Sequence, residues 1–229
     1  MGASSTNREH DARPAWRRRT EAEPRWPAAL TIALAIALQL MLPDKLALGP
    51  KWVLPVLSTV LLVGLLVANP GRIDHQRRGL RATALGVVAL VSLANAVSAI
   101  LLVNRILNGT IGDASALLAG GVAIYCTNIV VFSLWYWEFD RGGPGSRALG
   151  AREHADFLFP QMANPEFAPH DWEPSYLDYL YLSFTNATAF SPTDVMPMRR
   201  WAKLTMLVQS AVSLVLVALV VARAVNILH

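Results

Sequence analysis

The sequence has little charge, and its few charged residues are unevenly spread. Only 16% of the 229 residues are Asp, Glu, Lys or Arg, against about a quarter in a soluble domain. A helix needs about 20 apolar residues to cross a hydrocarbon core about 30 Å thick. Five uncharged stretches reach that length, the first only marginally: 28–43, 52–71, 82–104, 114–137 and 204–222. The deficit of charge therefore excludes a soluble globular domain and predicts an all-α integral membrane protein with about five transmembrane helices.

Cysteine and recognisable catalytic motifs are also scarce. The single cysteine, Cys126, excludes a disulfide framework. No Ser-His-Asp arrangement, phosphate loop or dinucleotide fingerprint is present, so we expect neither an enzyme nor a cofactor. The loop side chains that might be imagined as metal ligands show no ligand spacing, and we expect no metal site; they are His154, His170, Asp171 and Glu173.

The positive charge has a topological interpretation. A net charge of +4 and a pI near 9.6 could indicate nucleic-acid binding. The basic residues, however, flank the uncharged stretches, as topology signals do, so we expect a lipid bilayer and no nucleic acid as partner. Lys and Arg counts along the N-terminal tail and the successive loops alternate as 6, 2, 4, 1 and 6. The alternation predicts a bacterial inner-membrane protein with the N-terminus and loop 138–199 in the cytoplasm and the C-terminus outside.

The chain divides into four regions by composition. The basic tail and the apolar run 28–42 superficially resemble a signal peptide, but no small-x-small cleavage site follows, which favours a retained first span. The sequence Trp135-Tyr136-Trp137 is typical of an aromatic belt at the membrane interface. The regions are a polar tail (1–27), a four-helix transmembrane region (28–137), a Pro/Gly-rich loop (138–174) and a terminal module (175–229).

The terminal module opens with a helix too short to span a bilayer. Ser175 followed by Asp178 predicts a capping box, and the apolar helix from Tyr176 to about Thr188 would reach only about 20 Å. An irregular polar segment follows, after which we expect Pro197 to open the last span. The pattern favours a re-entrant half-helix, and the alternative is an amphipathic helix lying on the membrane surface.

This segment resembles the pore module of potassium-channel-type proteins. The run Ser183-Phe-Thr-Asn-Ala-Thr-Ala-Phe-Ser-Pro-Thr-Asp194-Val-Met-Pro197 matches that family's Ser-Phe, Thr, Asp and Pro, and Gln209 and Val221-Ala-Arg-Ala-Val match inner-helix positions. The chain also looks like uncharacterised bacterial multi-pass membrane proteins that carry the same segment. The resemblance to channels covers under a quarter of the chain and implies a pore helix, a filter and an inner helix.

The filter region departs from that family. The filter sequence of potassium channels, Thr-Val-Gly-Tyr-Gly, aligns with residues 189–193 of this chain. Both glycines are missing there, and Pro192 fixes the backbone angle φ. Potassium-type selectivity through backbone carbonyls is therefore not expected. The orientation departs as well, because the charge rule places this loop in the cytoplasm, whereas potassium channels place it outside.

Two functions are compatible with the sequence. The first is a cation pore without potassium-type selectivity, a homo-oligomer, tetrameric if it conducts, passing monovalent cations; in it Asp194 either forms an acidic ring at the mouth or caps the last helix. The second is a non-conducting scaffold or accessory subunit in which 183–194 packs as a plug. The candidate lining residues are Thr185, Asn186, Thr188, Ser191, Thr193 and Asp194.

Overall fold

The computed structural model describes residues 14–21, 23–47, 50–68, 78–109, 113–188 and 194–228, which form a mostly helical bundle. Short 3-10 turns cover Ala15–Arg17, Asp44–Leu46, Asp140–Gly142 and Pro165–Phe167. Two short strands, β1 (Phe157–Leu158) and β2 (Met196–Pro197), form an antiparallel pair. The helices are α1 (Trp26–Leu40), α2 (Val53–Ala68), α3 (Arg78–Leu107), α4 (Ala114–Phe139), α5 (Pro144–Ala148), α6 (Pro160–Ala163), α7 (Tyr176–Thr188) and α8 (Arg200–Leu228).

Three helices among the described residues are long and apolar enough to cross a membrane. These are α3, α4 and α8, and each occupies one of the predicted uncharged stretches. The other two stretches also form helices, but α1 has 15 residues and α2 has 16. At about 1.5 Å per residue they extend only about 22–24 Å. The length and composition of the three long helices fit the predicted class, a helical membrane protein.

Helix α4 is the centre of the bundle, in contact with α1, α3, α7 and α8. Leu117, Ile124 and Leu134 are each at most 1% exposed. The contact with α8 is especially close at Gly121, where an added Cβ would lie 2.9 Å from Cγ2 of Val220. A glycine at this point therefore lets the two long helices approach each other.

The strand pair joins loop 138–174 to the segment that precedes α8. Phe157 pairs with Pro197, and the amide of Met198 donates to the carbonyl of Asp156 at 2.8 Å. The prediction that Pro197 opens the last helix is wrong, because this proline lies in β2 and α8 begins at Arg200. Proline has no N–H to donate, and such a short edge strand accommodates it.

The aromatic run at the end of α4 is not an exposed belt. Tyr136 is fully buried and Trp137 is 3% exposed, so the interfacial prediction is wrong for both. The N-terminal segment covers this end of the bundle: Trp16 is buried, and Nε1 of Trp137 donates to Oε2 of Glu23 at 2.5 Å. The polar atoms of these rings therefore find protein partners where a belt would use water and headgroups.

A buried polar layer beside the half-length helix

Helix α7 packs between α4 and α8 and runs antiparallel to α4. Its first residue, Tyr176, lies against Trp137 near the end of α4, with its hydroxyl 2.7 Å from Oγ of Ser133. Two turns further along α7, Oγ of Ser183 donates to the carbonyl of Ile129 at 2.6 Å. The helix thus starts at the end of the bundle that carries loop 138–174 and proceeds along α4 toward the middle.

The predicted start of α7 is present at the atomic level. Oδ2 of Asp178 accepts from both the amide and the hydroxyl of Ser175, each at 2.8 Å. The acid three residues after the N-cap thus satisfies the N-cap amide, which is one half of a capping box. The helix begins at Tyr176 and ends at Thr188, the residues that the sequence predicts.

Gln209 of α8 connects α7 to α4 through its side-chain amide. The side chain is fully buried, and its Nε2 donates to the carbonyl of Ser183 at 2.9 Å and to that residue's hydroxyl at 2.7 Å. Its Oε1 accepts from the hydroxyl of Tyr136 at 2.6 Å and from Nδ2 of Asn186 at 2.8 Å. All donors and acceptors of this amide are therefore used inside the bundle.

Asn186 belongs to the same network. Its Nδ2 also donates to the carbonyl of Met206 at 3.0 Å, while the hydroxyl of Ser210 lies 3.2 Å from its Oδ1. The residue is 9% exposed and faces α8. One turn further along α8, the hydroxyl of Ser213 accepts from Nδ2 of Asn128 at 3.1 Å. Together these residues form a polar layer between three helices, and it holds α7 in place.

The other predicted lining residues lie elsewhere. The hydroxyls of Thr185 and Thr188 are partly exposed and donate to carbonyls of their own helix, at 2.9 Å to Tyr181 and 2.9 Å to Thr185 respectively. Asp194 is exposed, and its Oδ2 lies 3.5 Å from the hydroxyl of Tyr181. Ser191 and Thr193 lie outside the described residues. The structure thus brings Thr185 and Thr188 together on α7 and places Asn186 on the opposite face.

The outer face of α7 is a continuous stripe. It contains Leu177, Tyr181 and Phe184, which are 70%, 51% and 52% exposed, together with the two threonines. Residues three or four apart lie above one another on a helix, so 177, 181, 185 and 188 follow one line. We call the residues 177, 181, 184, 185 and 188 the outer stripe of α7.

A buried ionic cluster closes the end of the bundle where α7 begins. Asp140 is fully buried; its Oδ2 accepts from the hydroxyl of Tyr179 at 2.7 Å, and its Oδ1 accepts from the amides of Asp156 and Phe157 at 3.1 and 3.3 Å. Arg141, also buried, has a φ of 51° that lets its amide donate to Oδ2 of Asp156 at 2.7 Å. The loop is therefore fixed to α7 through Asp140.

An ion pair joins this loop to the N-terminal segment. Nε and Nη2 of Arg147 both lie 2.8 Å from Oε1 of Glu23, and Nη1 donates to the carbonyl of Trp137 at 2.6 Å. The contacts of Asp140, Arg141 and Arg147 were not predicted from the sequence, because the tail and the loop were described by composition alone. The loop has many prolines and glycines around a few charged residues. This composition is typical of a packed irregular segment as well as of a flexible one, so it could have indicated a packed loop.

The titratable side chains considered as metal ligands do not converge. His154, His170 and Asp171 are exposed, and Glu173 is partly buried and accepts from the hydroxyl of Thr20 at 2.7 Å. Burial raises the pKa of Glu173, and the hydrogen bond from Thr20 opposes that shift. Within the described ranges, no three His, Cys, Asp or Glu side chains are grouped so that they could hold a metal ion.

No family model, curated protein or solved structure gives a significant match to this chain. The interpretation of the polar layer and the outer stripe therefore depends on their own geometry.

Proposed function

We propose that the protein is a channel-like membrane protein with five spans, α1, α2, α3, α4 and α8, and with α7 as a re-entrant half-helix. The observation that carries this proposal is the path of the chain around α7. Tyr176 and Tyr179 lie at one end of the bundle, Ser183 and Asn186 lie deeper, and Asp194 is again beside Tyr181. These contacts support a path in which the chain enters and leaves the bundle at the same end.

The two short helices are compatible with this arrangement. An apolar helix a few residues too short is accommodated by local thinning of the bilayer, at a modest cost in free energy. α1 and α2 also pack against the long helices, α1 on α4 and α2 on α3. Five spans place the two chain ends on opposite sides.

The proposed activity is passage of monovalent cations without potassium-type selectivity, at the axis of a homotetramer. The outer stripe of α7 faces that axis, with Thr185 and Thr188 offering oxygens and Asp194 forming an acidic ring at the mouth. Asn186 anchors α7 through Gln209 and does not line the path. Side-chain oxygens hold cations more loosely than a ladder of carbonyls, so sodium and potassium are poorly distinguished.

The conduction test is gradient-driven flux into proteoliposomes that contain the purified protein. We expect comparable flux for sodium and for potassium, and Asp194→Asn should reduce the preference for cations over anions. Asp171→Asn is the matched control, because Asp171 is an exposed carboxylate of the preceding loop and lies outside the stripe. Strong potassium selectivity would refute the filter argument, and equal effects of both substitutions would refute the role of Asp194.

The orientation is tested with a reporter that is active only in the periplasm. The alternation of Lys and Arg predicts activity after residue 229 and silence after Gly145. The reverse pattern would place the mouth of the half-helix outside, as in potassium channels, and would contradict the charge rule for this chain.

A non-conducting scaffold is the second candidate. The outer stripe favours it in one respect, since Leu177, Tyr181 and Phe184 present apolar surface that suits a helix of another membrane protein. Absence of flux for every cation, with the protein folded and inserted, would favour the scaffold.

A further inference from the structure

A groove between four helices opens beside the N-terminus of α1. It is a narrow, partly open groove with a cavity volume of about 50 Å³. Apart from the charged residues at its rim, the groove has mostly apolar walls, which include Ala28 and Ile32 of α1, Leu62 and Leu65 of α2, and Ala84 and Val88 of α3.

Two arginines stand at the rim of this groove with part of their polar surface unsatisfied. Nε and Nη1 of Arg25 and Nε of Arg81 are buried and have no hydrogen-bond acceptor among the described residues. Nη2 of Arg81 makes only a long contact, 3.5 Å, to the carbonyl of Glu138. Burial lowers the pKa of Arg25, and the carboxylate of Glu138 opposes that shift only in part. Buried guanidinium donors without acceptors are costly, so an anionic acceptor between them would stabilise the site.

The charges at the rim leave room for an added anion. Glu138 also lines the groove and offers one negative charge against the two arginines. Arg147, another nearby cation among the described residues, is already paired with Glu23. The described residues of the rim therefore carry an excess of one positive charge, at the level where the uncharged stretches of α1 and α3 begin.

We propose that the groove binds an anionic phospholipid, with the phosphate between Arg25 and Arg81 and an acyl chain along α1, α2 and α3. Arginine binds phosphate oxygens through two parallel N–H donors, and basic sites between membrane helices suit acidic headgroups. The apolar walls continue from the rim into the bundle. An acyl chain would contact these walls, whereas an inorganic anion would not. This inference is independent of ion conduction, because the groove lies on the side of α4 formed by α1–α3.

The test is a lipid titration of the purified, detergent-solubilised full chain, with complexes counted by native mass spectrometry. The probes are phosphatidylglycerol, phosphatidylcholine of the same acyl length, and inorganic phosphate. We expect phosphatidylglycerol to bind about tenfold more tightly than phosphatidylcholine, and Arg25→Gln or Arg81→Gln to remove that preference. Arg200→Gln, an exposed arginine at the same end, should leave it unchanged.

A groove-filling variant separates lipid from free anion. Ala84→Leu keeps both arginines and occupies the acyl path, so it should weaken phosphatidylglycerol binding and leave any phosphate binding as it was. Equal affinity for the two lipids, or an equal effect of Arg200→Gln, would overturn the proposal. Competition by inorganic phosphate combined with an unaltered Ala84→Leu variant would also overturn it and leave an anion site without lipid specificity.

Discussion

Replacing Gln209 by methionine tests whether the polar layer holds α7 in the bundle. Methionine keeps the length of the side chain, but the four hydrogen bonds made by the Gln209 amide are lost. Ser183 keeps its bond to Ile129, and Asn186 keeps its bond to Met206, whereas the hydroxyl of Tyr136 loses its acceptor. One buried hydroxyl without an acceptor costs about 1–3 kcal/mol. Four interhelical hydrogen bonds at about 0.6 kcal/mol each give a similar sum. We therefore expect Gln209→Met to lower the free energy of unfolding by about 2 kcal/mol.

The assay is reversible unfolding of the purified protein in mixed micelles, followed by tryptophan fluorescence. Tyr136→Phe alone should cost about 1 kcal/mol, because Asn186 still donates to the Gln209 oxygen. The double variant Tyr136→Phe/Gln209→Met should lose less unfolding free energy than the sum of the two single variants, since it leaves no buried hydroxyl at position 136 without its acceptor. If the losses of the two single variants add up to that of the double variant within about 0.5 kcal/mol, the network is refuted. Ser213→Ala is a control that removes one hydrogen bond of the same helix. A loss of unfolding free energy for Gln209→Met no larger than that for Ser213→Ala would also refute the network.

Two further predictions concern helix α7 and the contact of α4 with α8. Leu182→Pro should cost about 3 kcal/mol or more, because it removes a hydrogen bond inside α7. Asp178→Pro should cost about 1 kcal/mol for the lost cap; equal, negligible losses in thermal unfolding would mean that α7 is only loosely attached. Gly121→Ala should leave the protein about 1–3 kcal/mol less stable than Gly64→Ala, since only the first added Cβ meets another side chain, that of Val220. Equal unfolding free energies for the two glycine variants would contradict the close approach of the helices.

The helices could be predicted because charge and length dictate them. Each uncharged stretch forms a helix, and α7 begins where Ser175 and Asp178 indicate. Local signals of this kind depend on neighbours in the sequence, which are known before folding. The predicted start of the last helix at Pro197 is wrong because this residue lies in β2 and pairs with Phe157, 40 positions earlier in the chain, a partner that no local pattern reveals.

The side-chain contacts within the site could not be predicted from the sequence to the same extent as the helices. Asn186 was assigned to a pore lining with the threonines, but one residue is a rotation of about 100° on a helix, so Asn186 faces α8 while Thr185 faces outward. The ionic contacts of Asp140 and Arg147 join residues of the loop to α7 and to the tail. Such contacts depend on the packing of distant segments, and the sequence shows only that charged residues are present there.

Cross-linking of single cysteines in the membrane tests most directly the claim that copies of the chain surround an axis lined by α7. In a Cys126→Ala background, Thr185→Cys places a thiol on the outer stripe, and Val60→Cys places one on an exposed face of α2. After mild oxidation, we expect covalent dimers for Thr185→Cys and little cross-linking for Val60→Cys. Monomers alone at Thr185, or equal cross-linking at the two positions, would contradict it.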